Sequence, residues 1–366
     1  MGIIVLDRLD THPTCSLAMV VTQKQIAEVA GVSQPVVARV LSGHPHVALK
    51  TRSRVEQIAA ELGYTIHSNG HARALAARRH GQETKKGIIA VLHWSMLTGE
   101  KSPLRDNPFF TPLFAGVDRA AENRGMDVCF FPIRASGLPR MITERDVDGV
   151  ICIGTNRPLA ALAELNLPTV ALDLPTPHGY GLLPDDREGA RLATRHLIDL
   201  GHREIAYLSY DMNSQVDAAE LRFQGYRDAL KEANISFDPD LVVESVALMD
   251  IFIGQEAIEK LLSRGKSWTG LVCYNDMLAM GAINGLKAAG KSVPKDVSVV
   301  GFDDVSKLYH FSLALTSVAF DREAMGRRAV EVLNNWPIEH SSNTGAQLEV
   351  FPVKLIKGHS TARANT

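Results

Sequence analysis

The sequence predicts a small all-α head that contains a helix-turn-helix, followed by an α/β region of two doubly wound parallel-sheet subdomains. Two patterns carry this prediction. Residues 22–62 show helical apolar periodicity and capping residues, whereas from Gly87 onward short apolar strands alternate with helices. Strands that read as continuous apolar runs belong to parallel sheets covered on both faces. They are too many for one sheet of ordinary width, so two sheets are expected.

The head is predicted to begin with two short helices joined by a tight turn. Thr22 can cap the first helix while Gln25 closes a capping box. Gly31 suits the turn, and Ser33 can cap a second helix that tolerates Pro35 in its first turn. The side chains expected to face inward are apolar: Ile26, Val29, Ala30, Val32, Val37, Val40 and Leu41.

Four side chains at the start of the second helix are expected to point outward: Gln34, Pro35, Val36 and Arg39. This part of a recognition helix meets base edges in the DNA major groove, and the planar fork of Arg39 suits a guanine. A third helix is predicted over 51–62, ending at Gly63. The alternative is a helical hairpin in an ordinary core, which would need the caps, the turn and the apolar stripes to agree by accident.

Charge separates the two regions more clearly than overall composition does. The 366 residues are 45% hydrophobic and 22% charged, with a net charge of -2. Residues 20–86 contain ten Lys or Arg and four Asp or Glu, a net charge of +6, so the rest of the chain is acidic. A basic head on an acidic body is typical of a phosphate-binding module joined to a sensor of neutral ligands, although a solvated basic face has the same composition.

The remaining composition indicates a cytoplasmic protein. The four cysteines, Cys15, Cys129, Cys152 and Cys273, have neither metal nor redox spacing, which indicates a reducing compartment. No apolar run reaches the length of a membrane span, and the N-terminus is a poor signal peptide because acids follow its short apolar stretch. Residues 1–19 are expected to be a disordered tail or a misassigned start before the head.

The α/β region is expected from Gly87 to the C-terminus. Its strands are predicted at 87–93, 127–131, 149–154, 168–173, 204–209, 270–275 and 297–303. Its helices are predicted at 113–124, 187–200, 222–232 and 278–289. Between the head and this region, residues 72–79 favour a helix that is too short to be stable alone, and we expect it to order only against a partner.

Several longer motifs follow one another along the chain. The stretch VTQKQIAEVAGVSQPVVARVLSGHPHV opens the head. Further on come NPFFTPLFAGVDRAAENRG (107–125), HLIDLGHREIAYL (196–208), the ND-x-x-A-x-G run at 275–281, VPKDVSVVGFDD (293–304) and LTSV (315–318). In this order, from about Val20 to the C-terminus, they resemble the LacI/GalR family of bacterial transcription regulators. The resemblance implies a periplasmic-binding-protein-like sensor and a homodimer on a pseudo-palindromic operator.

The resemblance also implies domain boundaries. We expect the head at 20–66, a hinge helix and linker at 67–86, and an effector-binding and dimerisation domain at 87–366. Its N-subdomain would comprise 87–183 plus 319–348, and its C-subdomain 184–318 plus 349–366. The chain would then cross between the subdomains near Leu183, Val318 and Leu348.

Residue by residue, the resemblance implies two sets of DNA contacts. Those near phosphates are Thr22, Ser33 and Thr51, and those at bases or their flanks are Gln34, Pro35, Val36, Arg39 and His46. Apart from the resemblance, Lys50 is expected to contact DNA without regard to its sequence. Leu75 would wedge between the central base steps of a widened minor groove. The chain departs from the family's pattern at Ala38 and Ala48, which lack the usual polar group. It is also two residues longer than usual between Tyr64 and Ala72, which affects the placement of the hinge.

For the sensor cleft, the resemblance implies residues that bind a sugar or a purine: Asp173, Arg222, Asn275 and Asp303 by hydrogen bonds, and Phe109 and Phe110 against the ring. Carboxylates, amides and an arginine fork at strand ends suit several hydroxyl groups at once. Each residue has a structural alternative. Arg222 could pair with a carboxylate, Asn275 could cap the next helix, and Asp303 could order its own turn. The two phenylalanines could belong to the core.

The function expected from these residues is an effector-responsive DNA-binding regulator that represses genes of carbohydrate uptake or catabolism. A purine- or nucleoside-responsive regulator is the alternative. An enzyme is disfavoured because the chain has no G-x-G-x-x-G after its first strand, no P-loop lysine and no G-x-S-x-G elbow. A solute-binding transport protein shares the sensor fold, but the basic head argues against it. We expect neither a cofactor nor a bound metal.

Overall fold

The computed structural model describes residues 22–41, 47–62, 85–93, 109–133, 137–154, 158–210, 217–245, 251–306, 311–336 and 346–364. The chain divides into two compact units between Thr84 and Lys85. The first unit is a helical head, and the second is an α/β unit with two six-stranded sheets.

The head consists of α1 (Gln23–Ala30), α2 (Gln34–Leu41) and α3 (Leu49–Glu61). The capping box predicted for α1 is present: the Thr22 amide donates to Gln25 Oε1 at 2.7 Å and the Gln25 amide donates to Thr22 Oγ1 at 3.3 Å. Gly31 ends α1 in the left-handed region with φ of 64°, which a glycine adopts without strain. Helix α3 begins two residues before the predicted start, and Ala48 gives it no side-chain cap. Gly63 lies outside the described residues.

A small apolar core holds the three helices together. It comprises Ile26, Ala27, Ala30, Val37, Val40, Val55 and Ala59, with Val32 and Leu41 packed against it. The prediction that Val29 faces inward is wrong, because its side chain is 56% exposed. The buried face of α1 is centred between Ile26 and Ala27, and at 100° per residue Val29 falls on the flank of that face.

The α/β unit alternates strands with helices. Its strands are β1 (Ile88–His93), β2 (Asp127–Pro132), β3 (Gly149–Ile153), β4 (Thr169–Leu172), β5 (Tyr180–Pro184), β6 (Ile205–Tyr210), β7 (Val242–Ser245), β8 (Gly270–Cys273), β9 (Ser298–Phe302), β10 (Thr316–Phe320), β11 (Gln347–Phe351) and β12 (Val353–Ile356). Its helices are α4 (Phe110–Glu122), α5 (Arg140–Thr143), α6 (Leu159–Glu164), α7 (Asp186–Asp199), α8 (Asp217–Glu232), α9 (Ile251–Ser263), α10 (Asp276–Ala288) and α11 (Arg322–Asn334).

The two sheets have matching strand orders, β11-β5-β4-β3-β1-β2 in the first and β12-β10-β9-β8-β6-β7 in the second. All described pairs in the first sheet are parallel. In the second sheet the edge strand β12 pairs antiparallel with β10, which departs from the predicted all-parallel arrangement. An edge strand that arrives by a short connection, without a covering helix, is free to run antiparallel.

The chain crosses from one sheet to the other after β5, after β10 and between β11 and β12. The first two crossings lie next to the strands that contain Leu183 and Val318. The third lies at Pro352, four residues beyond Leu348, because β11 stays paired with β5 as far as Phe351. The predicted strands and helices of this unit are present, with α8 beginning five residues earlier than predicted. Strands β5, β7, β10, β11 and β12 and helices α5, α6, α9 and α11 were not predicted from the sequence.

Candidate DNA interface and ligand-binding cleft

The candidate DNA-binding residues of the head lie on one surface. Gln34, Pro35 and Arg39 of α2 are exposed and Val36 is half-buried, while Val37 and Val40 fill the core beneath them. A groove of about 370 Å³ is lined by Val32, Ser33, Val36, Arg39, Val47, Ala48 and Thr51. The start of α2 therefore meets the start of α3 along a concave surface.

The other candidates are exposed elsewhere on the head or lie outside the described residues. Lys50 is exposed in the first turn of α3, next to Thr51. Thr22 is exposed at the start of α1, with its hydroxyl oxygen engaged in the capping box. His46 and Leu75 lie outside the described part of the chain.

Arg222 is at the centre of the candidate cleft in the α/β unit. It is 3% exposed, its Nε donates to Asp186 Oδ1 at 2.7 Å, and its Nη1 donates to the carbonyl oxygen of Tyr274 at 2.6 Å. The guanidinium carbon lies 3.6 Å from the Phe302 ring centroid and 4.4 Å from the Tyr274 ring centroid. Arg222 therefore pairs with a carboxylate, Asp186, which was the structural alternative to a ligand-binding role.

Asp303 brings a carboxylate to the same cluster. Its Oδ1 lies 3.9 Å from Arg222 Nη2, too far for a hydrogen bond, and is buried without a hydrogen-bond partner. Oδ1 of the next residue, Asp304, is also buried and unpartnered. Burial raises the pKa of Asp303, while Arg222 and then Arg322 oppose that rise. Buried acceptors without partners are uncommon in folded proteins, so these two oxygens are candidates for bonding a ligand.

Three aspartates at strand ends have strained backbone. Asp173, Asp303 and Asp304 have φ of 58°, 99° and 50°. Asp173 directly follows β4, and the other two directly follow β9, so all three lie at carboxyl ends of parallel strands. Residues other than glycine rarely adopt such angles, and they concentrate at functional sites where surrounding structure holds them in place.

Asp173 is half-buried and responds to the charges around it. Burial raises its pKa to about 8, repulsion from Asp186 and Asp303 adds to the rise, and attraction to Arg222 and Arg322 opposes it. Its carboxyl group is therefore mainly protonated at neutral pH, where it can donate a hydrogen bond as well as accept one.

Asn275 caps a helix, which was its structural alternative to binding a ligand. Its Oδ1 accepts from the Leu278 amide at 3.0 Å and so caps α10, and the Tyr210 hydroxyl lies 3.5 Å from the same oxygen. The next residue, Asp276, is fully buried and accepts hydrogen bonds from the Val305 amide at 2.7 Å and the Ser317 hydroxyl at 2.6 Å. Asp276 thereby supports the loop that carries Asp303 and Asp304.

The two phenylalanines have different neighbours. Both are buried in the large core cluster of the α/β unit, with their ring centroids 5.2 Å apart. Phe110 stacks on Phe114 at 6.1 Å, whereas Phe109 packs edge-on against Phe320 at 6.2 Å and lies 5.3 Å from the guanidinium of Arg322. Phe109 is thus the one of the pair that borders the charged cluster.

Comparison with known proteins identifies both units. Residues 22–66 match the family described as bacterial regulatory proteins of the lacI family, and residues 194–361 match the periplasmic binding protein-like domain. The chain is 32% identical to the HTH-type transcriptional regulator GalR of Escherichia coli K12 over 359 residues, which cover 93% of this chain and 96% of that protein. The chain belongs to the lacI family of bacterial regulatory proteins.

Other relatives agree with this assignment. The HTH-type transcriptional repressor PurR of Aliivibrio salmonicida is 31% identical over 327 residues, which cover 85% of this chain and 91% of that protein. Among solved structures, the lac repressor dimer bound to operator and the anti-inducer ONPF is 27% identical, with a TM-score of 0.71 over 94% of this chain and 99% of that chain. A complex of the transcriptional regulator CelR with cellobiose is also 27% identical, with a TM-score of 0.63 over 93% of this chain and 99% of that chain.

Family membership makes the chain an effector-responsive, DNA-binding transcriptional regulator and not an enzyme. Within the residues that the structure describes, no group of three or more His, Cys, Asp or Glu side chains is arranged to hold a metal ion. No described helix is both long enough and apolar enough to cross a membrane.

The structure adds four residues to the cleft of this lacI-family regulator: Asp186, Tyr274, Phe302 and Arg322. Asp186 is the first residue of α7, where a helix N-terminus by itself favours an acidic side chain. Phe302, Tyr274 and Arg322 end or closely follow the parallel strands β9, β8 and β10. That position is the signal by which they could have been found, because side chains at the carboxyl ends of such strands gather around a common crevice.

Proposed function

We propose that this regulator binds a pseudo-palindromic operator as a homodimer in the cytoplasm and represses genes of carbohydrate uptake or catabolism. In this proposal the α2 surface reads the operator, Leu75 lies in a hinge helix within 67–86, and residues 87–366 bind the effector and dimerise. Support comes from relatives, which include a ribose operon repressor of Haemophilus influenzae that is 30% identical and the operator-bound lac repressor dimer.

We propose a sugar or sugar derivative as the effector because of the hydrogen-bonding character of the cleft. Asp303 and Asp304 present acceptors without partners, and Asp173 can both donate and accept at neutral pH. Each hydroxyl group of a sugar is itself a donor and an acceptor, so neighbouring hydroxyls suit such a set. Two related structures contain cellobiose and ribose, respectively.

A purine remains the second candidate, because Phe109 borders the cluster and relatives named PurR are about as similar to the chain as GalR. A thermal-shift screen of neutral sugars, sugar acids, sugar phosphates and nucleobases separates the two. A ligand at a hundred times its dissociation constant should add about 2.7 kcal/mol of stability. Stabilisation by hypoxanthine or guanine, with none by any sugar derivative, would show that the sugar proposal is wrong.

The DNA-binding proposal makes a distinct prediction for two basic residues of the head. If Arg39 reads a base, Arg39→Ala should cost about 1–3 kcal/mol of operator binding and relax the preference at one symmetric position. Lys50→Ala should weaken binding to all duplexes similarly and reduce its salt dependence. A base-substitution scan of the operator at two salt concentrations measures both effects. Equal losses on every duplex for Arg39→Ala would make Arg39 a phosphate contact instead.

Specific duplex binding also tests the remaining alternative, a solute-binding protein without a regulatory role. A regulator should keep its preference for the operator as salt rises, because base contacts survive when phosphate contacts weaken. A protein that loses all duplex binding at elevated salt while still binding a sugar would fit the solute-binding alternative.

A further inference from the structure

Arg322 is a buried cation that the cleft does not neutralise by direct contact. It is the first residue of α11, it is 8% exposed, and its Nη1 is buried without a hydrogen-bond partner. Within the described part of the chain, no carboxylate lies within 4.0 Å of its guanidinium. A guanidinium stays charged and offers five N–H donors, and buried charges in folded proteins are normally paired.

Two aromatic rings lie near the guanidinium of Arg322. Its guanidinium carbon lies 5.3 Å from the ring centroid of Phe109 and 5.9 Å from that of Phe320. These rings keep water away from part of the side chain and offer only the weak attraction of their π faces. They hold the guanidinium in position without satisfying its donors.

None of the described cleft carboxylates pairs directly with Arg322. Asp186 accepts directly from Arg222, and Asp303 Oδ1 lies 3.9 Å from Arg222 Nη2, whereas no nitrogen of the Arg322 guanidinium lies within 4.0 Å of the Asp303 carboxylate. Asp173 is influenced by Arg322, but its raised pKa leaves it mainly uncharged at neutral pH. The positive charge of Arg322 therefore has no direct carboxylate partner among the described residues, and it lies beside Phe109.

We propose that Arg322 binds an anionic group of the effector, so that the effector is an acidic sugar derivative bearing a carboxylate or a phosphate. The inference rests on the proposed function, in which the cleft binds a sugar-like molecule. A carboxylate or phosphate fits the planar fork of an arginine with two parallel hydrogen bonds. The N-terminus of the thirteen-residue helix α11, where Arg322 stands, also favours negative charge nearby. The unpartnered oxygens of Asp303 and Asp304 would accept from the hydroxyl groups of the same molecule.

The alternative is that Arg322 only offsets the charge of Asp303 and packs on Phe109. The two roles differ in ligand selectivity. A residue that merely supports the cleft would, when substituted, weaken neutral and acidic ligands alike. A residue that bonds the anionic group would, when substituted, weaken only the acidic ones.

Isothermal calorimetry on the full-length protein with matched sets of probes tests the proposal. The sets are galactose with galacturonate and galactose 6-phosphate, glucose with glucuronate and glucose 6-phosphate, and ribose with ribose 5-phosphate. We expect at least one acidic probe to bind about 30-fold or more tightly than its neutral parent, as charge-assisted hydrogen bonds allow. Whether that probe is a carboxylate or a phosphate identifies the anionic group.

Variants then assign the preference to Arg322. Arg322→Met should bring the affinity ratio of acidic to neutral probe close to one, and Arg322→Lys should keep part of it, because lysine retains the charge but not the fork. Arg327→Met is the matched control, since Arg327 lies on the same helix with a side chain 48% exposed and pairs with Glu323. It should leave the ratio unchanged. Thermal denaturation of each variant confirms that the protein is folded.

Two results would overturn the inference. If neutral sugars bind as tightly as their acidic counterparts in the wild type, or if Arg322→Met weakens both classes equally, Arg322 does not bind an anionic group, while the sugar-effector proposal stands. If no probe of either class binds, the sugar-effector proposal fails and this inference fails with it.

Discussion

Arg222 and Asp303 face one another in the cleft but differ in what holds them. Arg222 is fixed by two hydrogen bonds and two aromatic rings, and Asp186 depends on it for neutralisation. Asp303 has a buried oxygen with no hydrogen-bond partner and a backbone φ of 99°. Arg222 is thus bound into the structure before any ligand arrives, whereas Asp303 has unused bonding capacity.

Substitutions at these two residues should separate stability from effector binding. Arg222→Met leaves Asp186 as an uncompensated buried charge and should cost about 3–5 kcal/mol of unfolding free energy. Asp303→Asn should change stability by no more than about 1 kcal/mol, yet weaken effector binding by about 1.5–3 kcal/mol if Asp303 bonds a ligand hydroxyl. Urea denaturation and calorimetry measure the two quantities.

The double variant Arg222→Met, Asp186→Leu is the control for the first effect, because removing both charges should recover much of the lost stability. If Asp303→Asn leaves the effector affinity unchanged in a folded protein, Asp303 is not a ligand contact and its strained backbone has another cause.

At the scale of elements, close helix pairs hold the cleft residues in place. Helix α7 begins with Asp186, and α8 carries Arg222, so the geometry of this pair sets the buried ion pair. The two helices touch at Gly225, where a Cβ atom would overlap the carbonyl oxygen of Arg187. Helices α4 and α11 touch in the same way, with Gly116 against Glu323 and Gly326 against Leu113. Backbone contact at these points leaves no room for a side chain.

Gly225→Ala should therefore destabilise the sensor by about 1–3 kcal/mol through overpacking, even though alanine favours a helix by about 1 kcal/mol over glycine. It should also weaken effector binding by displacing Arg222 relative to Asp186. Gly285→Ala in α10 is the matched control, since its Cβ would lie 3.1 Å from the nearest atom and needs only a small adjustment. Urea midpoints compare the two variants, and a Gly225→Ala protein as stable as the wild type would contradict the close contact.

At the scale of the whole molecule, three crossings between two sheets bring several acidic residues into one partly buried cluster. The cost of burying their charge appears as raised pKa values. Asp173 titrates near 8 rather than near 3.8, so the folded protein binds a proton there more tightly than the unfolded chain does. Between about pH 4 and pH 8 the folded state holds more protons at this group, so its contribution to stability falls as the pH rises.

Asp173→Asn should flatten the pH dependence of stability. In the wild type, the free energy of unfolding should decline from pH 5 to pH 8.5, and the variant should decline less because it has no carboxyl group to ionise. Asp228→Asn is a control in which the pKa shift has the opposite sign, because Arg187 lowers the pKa of Asp228. The contribution of Asp228 to the free energy of unfolding is already complete above pH 5. Urea denaturation at pH 5, 6.5 and 8.5 measures these slopes. Parallel slopes for the wild type and Asp173→Asn would show that Asp173 ionises normally.

Local signals were sufficient to predict much of this protein. The capping box at Thr22, the turn at Gly31 and the exposed face of α2 lie within a few residues of one another, and short-range hydrogen bonds and helical periodicity specify them. The alternating strands and helices were predicted for the same reason. Helical periodicity alone predicts the wrong orientation for Val29, because the face of α1 that packs on α2 and α3 is centred between Ile26 and Ala27.

The composition of the cleft depends on contacts between residues distant in sequence. Asp186 and Arg222 are 36 residues apart and meet only because α7 packs on α8. Arg322 reaches the cluster through the crossing after β10, and the third crossing falls at Pro352 because β11 keeps its pairing to Phe351. Charge burial and strand pairing are properties of the assembled sheets. No window of the sequence contains them, and only the folded chain shows which carboxylates are paired and which keep an oxygen without a hydrogen-bond partner.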